Sequence, residues 1–126
     1  MSTSGLSSRK RSDGMKSNKV FLKHVQDEIN FVLGETRALS FDEFMNDEVL
    51  KRACARSFEI IGEAAKNVTP EFRKKHKQIE WKKIAGFRDK LIHQYFGIRW
   101  DILWNVISAS LPDLGSKIEK MLEEGE

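Results

Sequence analysis

A chain of 126 residues has room for one hydrophobic core and not two, and its 40% hydrophobic and 33% charged content is that of an ordinary globular protein. The formal charge of +3 excludes little, because Arg9, Lys10, Arg11 and Lys16 against Asp13 account for all of it and residues 17–126 balance at zero. No apolar run approaches the ~20 residues of a membrane-spanning helix, and no apolar block follows the N-terminal charges as in a secretory signal, so neither a membrane partner nor export is expected.

Residues 1–16 are rich in Ser, Gly and basic side chains without apolar periodicity. They are expected to be a disordered tail or a leader, with Met15 as an alternative start, and the folded domain is assigned to residues 17–126. The spacing of Leu22, Val25, Ile29 and Val32 predicts a first helix from about Ser17 to Leu33, stopped at Gly34. Ser40 followed by Glu43 reads as a capping box opening a short turn through Phe41 and Phe44. Asn46 or Asp47 then caps a second helix from about Glu48 to Asn67, with Leu50, Cys54, Phe58 or Ile61, Ala65 and Val68 as its stripe. Its small residues Ala53, Gly62, Ala64 and Ala65 allow a neighbouring helix close approach. As the sole cysteine, in a periodic apolar stretch, Cys54 reads as a packed, reduced thiol in a cytoplasmic protein.

Thr69-Pro70 marks a break and a new helical turn, since proline is tolerated in a first turn. A third helix is expected from about Glu80 to Tyr95 or Phe96, closed by Gly97, and a fourth from an Asp101 cap. The stripe of Ile107, Leu111, Leu114 and Ile118 passes Pro112 without losing phase, which predicts a kink there rather than an end. With no strand-like alternation anywhere, the expected fold is all-α: an antiparallel bundle of four main helices plus short helical turns.

Ionisable and aromatic side chains concentrate on the third helix as Arg88, Asp89, Lys90, His93 and Tyr95. At about 100° per residue, Asp89 and His93 share a face, so the carboxylate can accept a hydrogen bond from the imidazole. Arg88 and Tyr95 share another face, whereas Arg88 and His93 are about 140° out of phase. Two resolutions exist. Either the helix ends near His93 and the ring turns back, or a second copy of the chain completes the site across an isologous dimer interface. Arginine matches phosphate oxygens and histidine shuttles protons near neutrality, so the pair suits phosphodiester chemistry. The plain reading is an Asp89–His93 surface pair beside a salt-bridged Arg88.

The stretch Arg88-Asp89-Lys90-Leu91-Ile92-His93-Gln94-Tyr95 fits an R-x4-H-x-Y pattern. It resembles the signature of HepT-like HEPN-domain proteins, the toxin ribonucleases of prokaryotic HepT/MNT toxin–antitoxin pairs. Trp81 to Phe87 before the motif, the trailing Tyr95-Phe96-Gly97-Ile98, Trp104 to Ile107 and Leu111-Pro112 extend the resemblance over most of residues 17–126. The resemblance implies an all-helical homodimer whose motifs line one cleft, and a metal-independent endoribonuclease acting on RNA. By it, Arg88 and His93 are the catalytic pair and Asp89 the supporting polar residue. Tyr95 corresponds to the tyrosine that a minimal nucleotidyltransferase antitoxin modifies with AMP.

Elsewhere the signals are weaker. His24 and His76 lack a ligand-spaced partner, and neither a phosphate-cradling glycine loop nor a nucleophile elbow is present, so no metal and no cofactor are expected. Trp81, Trp100 and Trp104 read as core or dimer packing before base stacking, Glu59 and Glu63 as a solvated face, and the run from Arg73 to Lys77 with Lys82 and Lys83 likewise. The alternative to the enzyme is a non-catalytic helical dimer module that binds a nucleotidyltransferase partner through Tyr95. DNA binding through residues 73–83 ranks last, because no second basic helix supports it.

Overall fold

A computed structural model describes the backbone of residues 2–93 and 97–124 and the side chains of residues 18–87, 89 and 97–124. The elements in chain order are α1 (Ser2–Thr36), α2 (Phe41–Met45), α3 (Glu48–Lys66), α4 (Pro70–Lys75), α5 (Trp81–His93), α6 (Trp100–Asn105), a π-helical turn (Val106–Ser110) and α7 (Leu111–Glu123). The described residues are helical or irregular, without strands, as the period of the apolar residues requires.

Helix α3 lies between α1 and α5, and α7 covers another side of α1. Asn18 of α1 meets Thr69 beyond the end of α3, while Glu28 further along α1 accepts a hydrogen bond from Ser57 Oγ at 2.7 Å, so α1 and α3 run antiparallel. The predicted stripes are the core: Leu22, Val25, Ile29 and Val32 of α1 are buried with Leu50, Cys54, Phe58, Ile61 and Ala65 of α3. Burial of that kind, at roughly 25 cal/mol per Å² of apolar surface, is the main driving force for bundling the helices. Gly115 marks the tightest crossing, since a Cβ there would stand 3.1 Å from Ile29 Cγ2.

Two of the predicted caps hold. Ser40 Oγ accepts from the Glu43 amide at 3.1 Å and the Glu43 carboxylate accepts from the Ser40 amide at 2.9 Å, a complete capping box. Of the two candidates for α3, Asp47 is the cap, accepting from the Leu50 amide at 3.0 Å. Thr69 caps α4 with Pro70 in the first turn. The Asn18 carboxamide uses both of its ends on Thr69, donating to Oγ1 at 3.1 Å and accepting from the amide at 3.0 Å, which pins α1 to the α3–α4 corner.

Three boundaries differ from the reading of the sequence. Gly34 does not stop α1, which continues to Thr36, where Oγ1 donates to the Val32 carbonyl at 2.7 Å and fills the end that the glycine was expected to close. At the other end α1 begins at Ser2 rather than near Ser17. The side chains upstream of Asn18, on which the proposed tail or leader turns, lie outside the described residues. Asp101 is not a cap but the second residue of α6, held by a two-pronged pair with Arg99 (Nε–Oδ1 3.0 Å, Nη2–Oδ2 2.8 Å). That hydrogen bond, more than bare charge, holds the Asp101 carboxyl below its usual range.

The expected irregularity before Pro112 is the π-helical turn, in which the Leu111 amide donates to the Val106 carbonyl five residues back. One residue is accommodated by widening the turn, so α6 passes into α7 with its apolar phase kept. Phe44 sits beneath this stretch, with the rings of Trp104 and Trp100 at 4.9 and 6.3 Å, and Lys51 Nζ lies 5.0 Å from the Trp100 ring centroid. Both tryptophans therefore pack, as expected, and so does the buried Trp81.

Candidate active site

Helix α5 is built from an apolar face that has somewhere to go. Trp81 and Ile84 are buried, Trp81 Nε1 donates to the His76 carbonyl at 2.9 Å, and Phe87 packs on Phe58 of α3 with ring centroids 5.4 Å apart. These contacts fix the rotation of the helix about its axis, and with it the register of every residue on it.

In that register Arg88 follows Trp81 by seven residues and Ile84 by four, so its backbone position belongs to the inward-turned side of α5. Asp89, seven residues from the exposed Lys82, belongs to the outer side, and its side chain is exposed. His93 is the last residue given to α5, four after Asp89 and on the same outer side. The expected division into two faces is thus present in the backbone. The side chains of Arg88 and His93, and Tyr95 altogether, lie outside the described residues, as do the expected end of the helix at Tyr95 or Phe96 and its closure by Gly97.

Asp89 Oδ1 lies 4.0 Å from Lys66 Nζ, at the C-terminal end of α3. Lys66 was not singled out in the sequence, since nothing local couples residues so far apart, and its only signal there was a place in the last turn of α3. The other candidates take structural places. The His76 ring lies against Phe72 at 4.3 Å between centroids, and Glu59 pairs with Arg56 at 3.0 Å. His24 lines an open groove between α1 and α3 with Glu59 and Glu63. Cys54 is fully buried, and desolvation first, then the negative charges of Glu35 and Asp47, push its thiol up to about 11. A thiol so disposed packs and does not attack. Among the described residues, no three metal-ligating side chains converge, and no helix is long and apolar enough to cross a membrane.

Residues 25–121 match the family described as Ribonuclease HepT-like, which spans the core helices and α5. The chain belongs to the HepT-like ribonuclease family. The chain is 44% identical over 110 residues to "Putative RNase TTE0752" of Caldanaerobacter subterraneus subsp. tengcongensis, covering 87% of this chain and 98% of the relative. It is 38% identical over 106 residues to "Probable ribonuclease HepT" of Thermococcus cleftensis, covering 84% and 96%. No solved structure gives a significant match. Membership of the HepT-like family makes the activity to be explained that of a ribonuclease.

Proposed function

We propose that this HepT-like ribonuclease is a metal-independent endoribonuclease whose catalytic groups are Arg88 and His93, with Asp89 orienting the imidazole. The observation that carries this reading is the R-x4-H-x-Y pattern that starts on α5, in a chain of a ribonuclease family. In this reaction the ribose 2′-hydroxyl attacks the adjacent phosphorus, its proton passes to an imidazole, and the 5′-oxygen leaves with a proton from an acid. A 2′,3′-cyclic phosphate and a 5′-hydroxyl result. The guanidinium faces the charge that builds on the phosphoryl oxygens in the transition state, where a fixed cation lowers the barrier most.

The register supports a site shared between two copies of the chain. Arg88 and His93 stand about 140° apart on one helix, one position on its inward side and one on its outer side. A second α5 packed against the first would bring the Arg of one protomer to the His of the other, and an isologous dimer would hold two such sites. Tyr95, two residues past His93, is proposed as the acceptor of AMP from a nucleotidyltransferase antitoxin in a toxin–antitoxin pair. Added phosphate charge beside the cleft repels RNA and switches the enzyme off.

The deciding experiment incubates RNA with the parent protein, Arg88→Ala and His93→Ala in the presence of a chelator. Cleavage by the parent and a loss of at least about 100-fold in each variant is expected. Equal cleavage by all three proteins would overturn the assignment.

A further inference from the structure

The zero net charge of residues 17–126 conceals a strong segregation. Residues 66–90 carry nine Lys and Arg against three carboxylates (Glu71, Glu80 and Asp89), a net +6, so the rest of the domain carries −6. These residues form one corner of the molecule. Arg73 Nη2 reaches the carbonyls of Ala65 and Lys66, Trp81 is bonded to the His76 carbonyl, and Lys66 meets Asp89, so the end of α3, all of α4 and the start of α5 converge.

Some of these cations have structural work. Arg73 is turned onto the end of α3, and Lys83 lies 3.6 Å from Glu80. Lys74, Lys75, Lys77 and Lys82 are different: all four are exposed, and none has a carboxylate within salt-bridge distance among the described residues. Four uncompensated ammonium groups at one corner repel one another, a cost of a few tenths of a kcal/mol per close pair that a structural role would not require. Lys82 also shares the outer side of α5 with Asp89 and with the backbone position of His93.

We infer that Lys74, Lys75, Lys77 and Lys82 form a track for the phosphate backbone of single-stranded RNA, leading along the outer side of α5 to His93. Its position relative to cleavage rests on the catalytic assignment above, but the binding itself does not. Flexible lysines suit this task, since a strand of varying sequence presents phosphates at a regular interval but not in one fixed orientation. The net −6 on the remainder of the domain disfavours RNA there relative to this corner.

The test uses the full chain and a fluorescent 2′-O-methyl oligonucleotide, which cannot react through its 2′-oxygen, so binding is read whether or not Arg88 and His93 are catalytic. Affinity is followed by anisotropy across a salt series for the parent, for Lys74→Gln/Lys75→Gln/Lys77→Gln/Lys82→Gln, and for the charge-matched control Lys19→Gln/Lys23→Gln/Arg52→Gln/Lys120→Gln. The track variant is expected to bind at least tenfold more weakly at 0.1 M salt, with the slope of log K against log salt shallower by up to about 3, at ~0.7 for each phosphate no longer neutralised. The control variant is expected to stay within twofold of the parent. Unchanged affinity in the track variant overturns the inference, and so does equal weakening in both, which would make the effect one of total charge. Loss of binding to an acidic protein partner with RNA affinity intact would also overturn it, and would assign the corner to protein docking.

Discussion

Arg73 donates from Nη2 to the carbonyl oxygens of Ala65 at 2.9 Å and Lys66 at 3.2 Å, closing the C-terminal end of α3 from the following helix. A helix end leaves its last carbonyls short of intrahelical partners, and the one Nη2 group donates to two of them while its cation meets the negative end of the helix dipole. Arg73→Ala is expected to lower stability by about 1–3 kcal/mol, and Arg73→Lys to recover only part of it because its ammonium group stands one bond short of the position of Nη2. Urea unfolding followed by circular dichroism measures both. If Arg73→Ala unfolds at the parental midpoint, the bond has no energetic weight.

Gly115 gives a prediction about packing. Its missing Cβ would stand 3.1 Å from Ile29 Cγ2, and Ile29 is fully buried, so its methyl group has nowhere to withdraw. Alanine brings higher helix propensity worth about 1 kcal/mol and a clash of similar size, so Gly115→Ala is expected to fall near neutral. Gly115→Leu has no such compensation and is expected to cost more than about 2 kcal/mol by wedging α7 from α1. Thermal melts of the two variants separate the cases, and a stable Gly115→Leu protein would show that the α1–α7 contact is loose.

The contrast between these two residues shows what was legible in the sequence. Ile29 could be placed in the core because apolar spacing alone reports which side of a helix turns inward, and Ser40 could be read as a cap, and Asp47 as one of two candidates, because capping is settled within three residues. Arg73 could not be read as a cap, since its acceptors lie in another helix, and in the sequence it is one of a run of cations indistinguishable from Lys74. Gly34 and Asp101 carried local signals that other local bonds overrode, from Thr36 to the Val32 carbonyl four residues back in one case and from Arg99 to Asp101 two residues on in the other. The charged corner was hidden for a different reason: a net charge is a sum, and it vanishes when +6 and −6 lie on different parts of one surface. Arg88, Asp89 and His93 were legible as one helix bearing two faces. A meeting of Arg88 and His93 was not legible, because one helix holds their positions out of phase.

Cys54 ties stability to pH. Its thiol is pushed from an ordinary 9.0 up to about 11 in the fold, so the native state holds the proton more tightly than the unfolded chain. The contribution is present in full below about pH 9 and is lost as pH rises toward 11, because deprotonation then favours unfolding, by an amount on the order of 2–3 kcal/mol at most. The difference in unfolding free energy between the parent and Cys54→Ala is therefore expected to shrink or change sign between pH 8.5 and about 11. The subtraction removes whatever the two proteins have in common. A constant difference across that range would mean that the thiol is solvated in the native state.

The out-of-phase placement of Arg88 and His93 makes the shared-site proposal separable from a site within one chain. If each site takes Arg88 from one protomer and His93 from its partner, Arg88→Ala and His93→Ala are each inactive alone. A heterodimer of the two variants then has one site with both residues missing and one site with both intact. Random exchange makes half of the dimers mixed, each with one of two sites working, so about a quarter of parental cleavage is expected to return on mixing the inactive proteins. If instead Arg88 and His93 of the same chain meet at a helix end, every site in the mixture lacks one residue, and mixing returns nothing. The assay is run after cycling the mixture through mild denaturant to exchange subunits, with the parent taken through the same cycle as the reference. Recovered cleavage would place the reacting phosphate between two copies of α5, with Arg88 and His93 drawn from different chains.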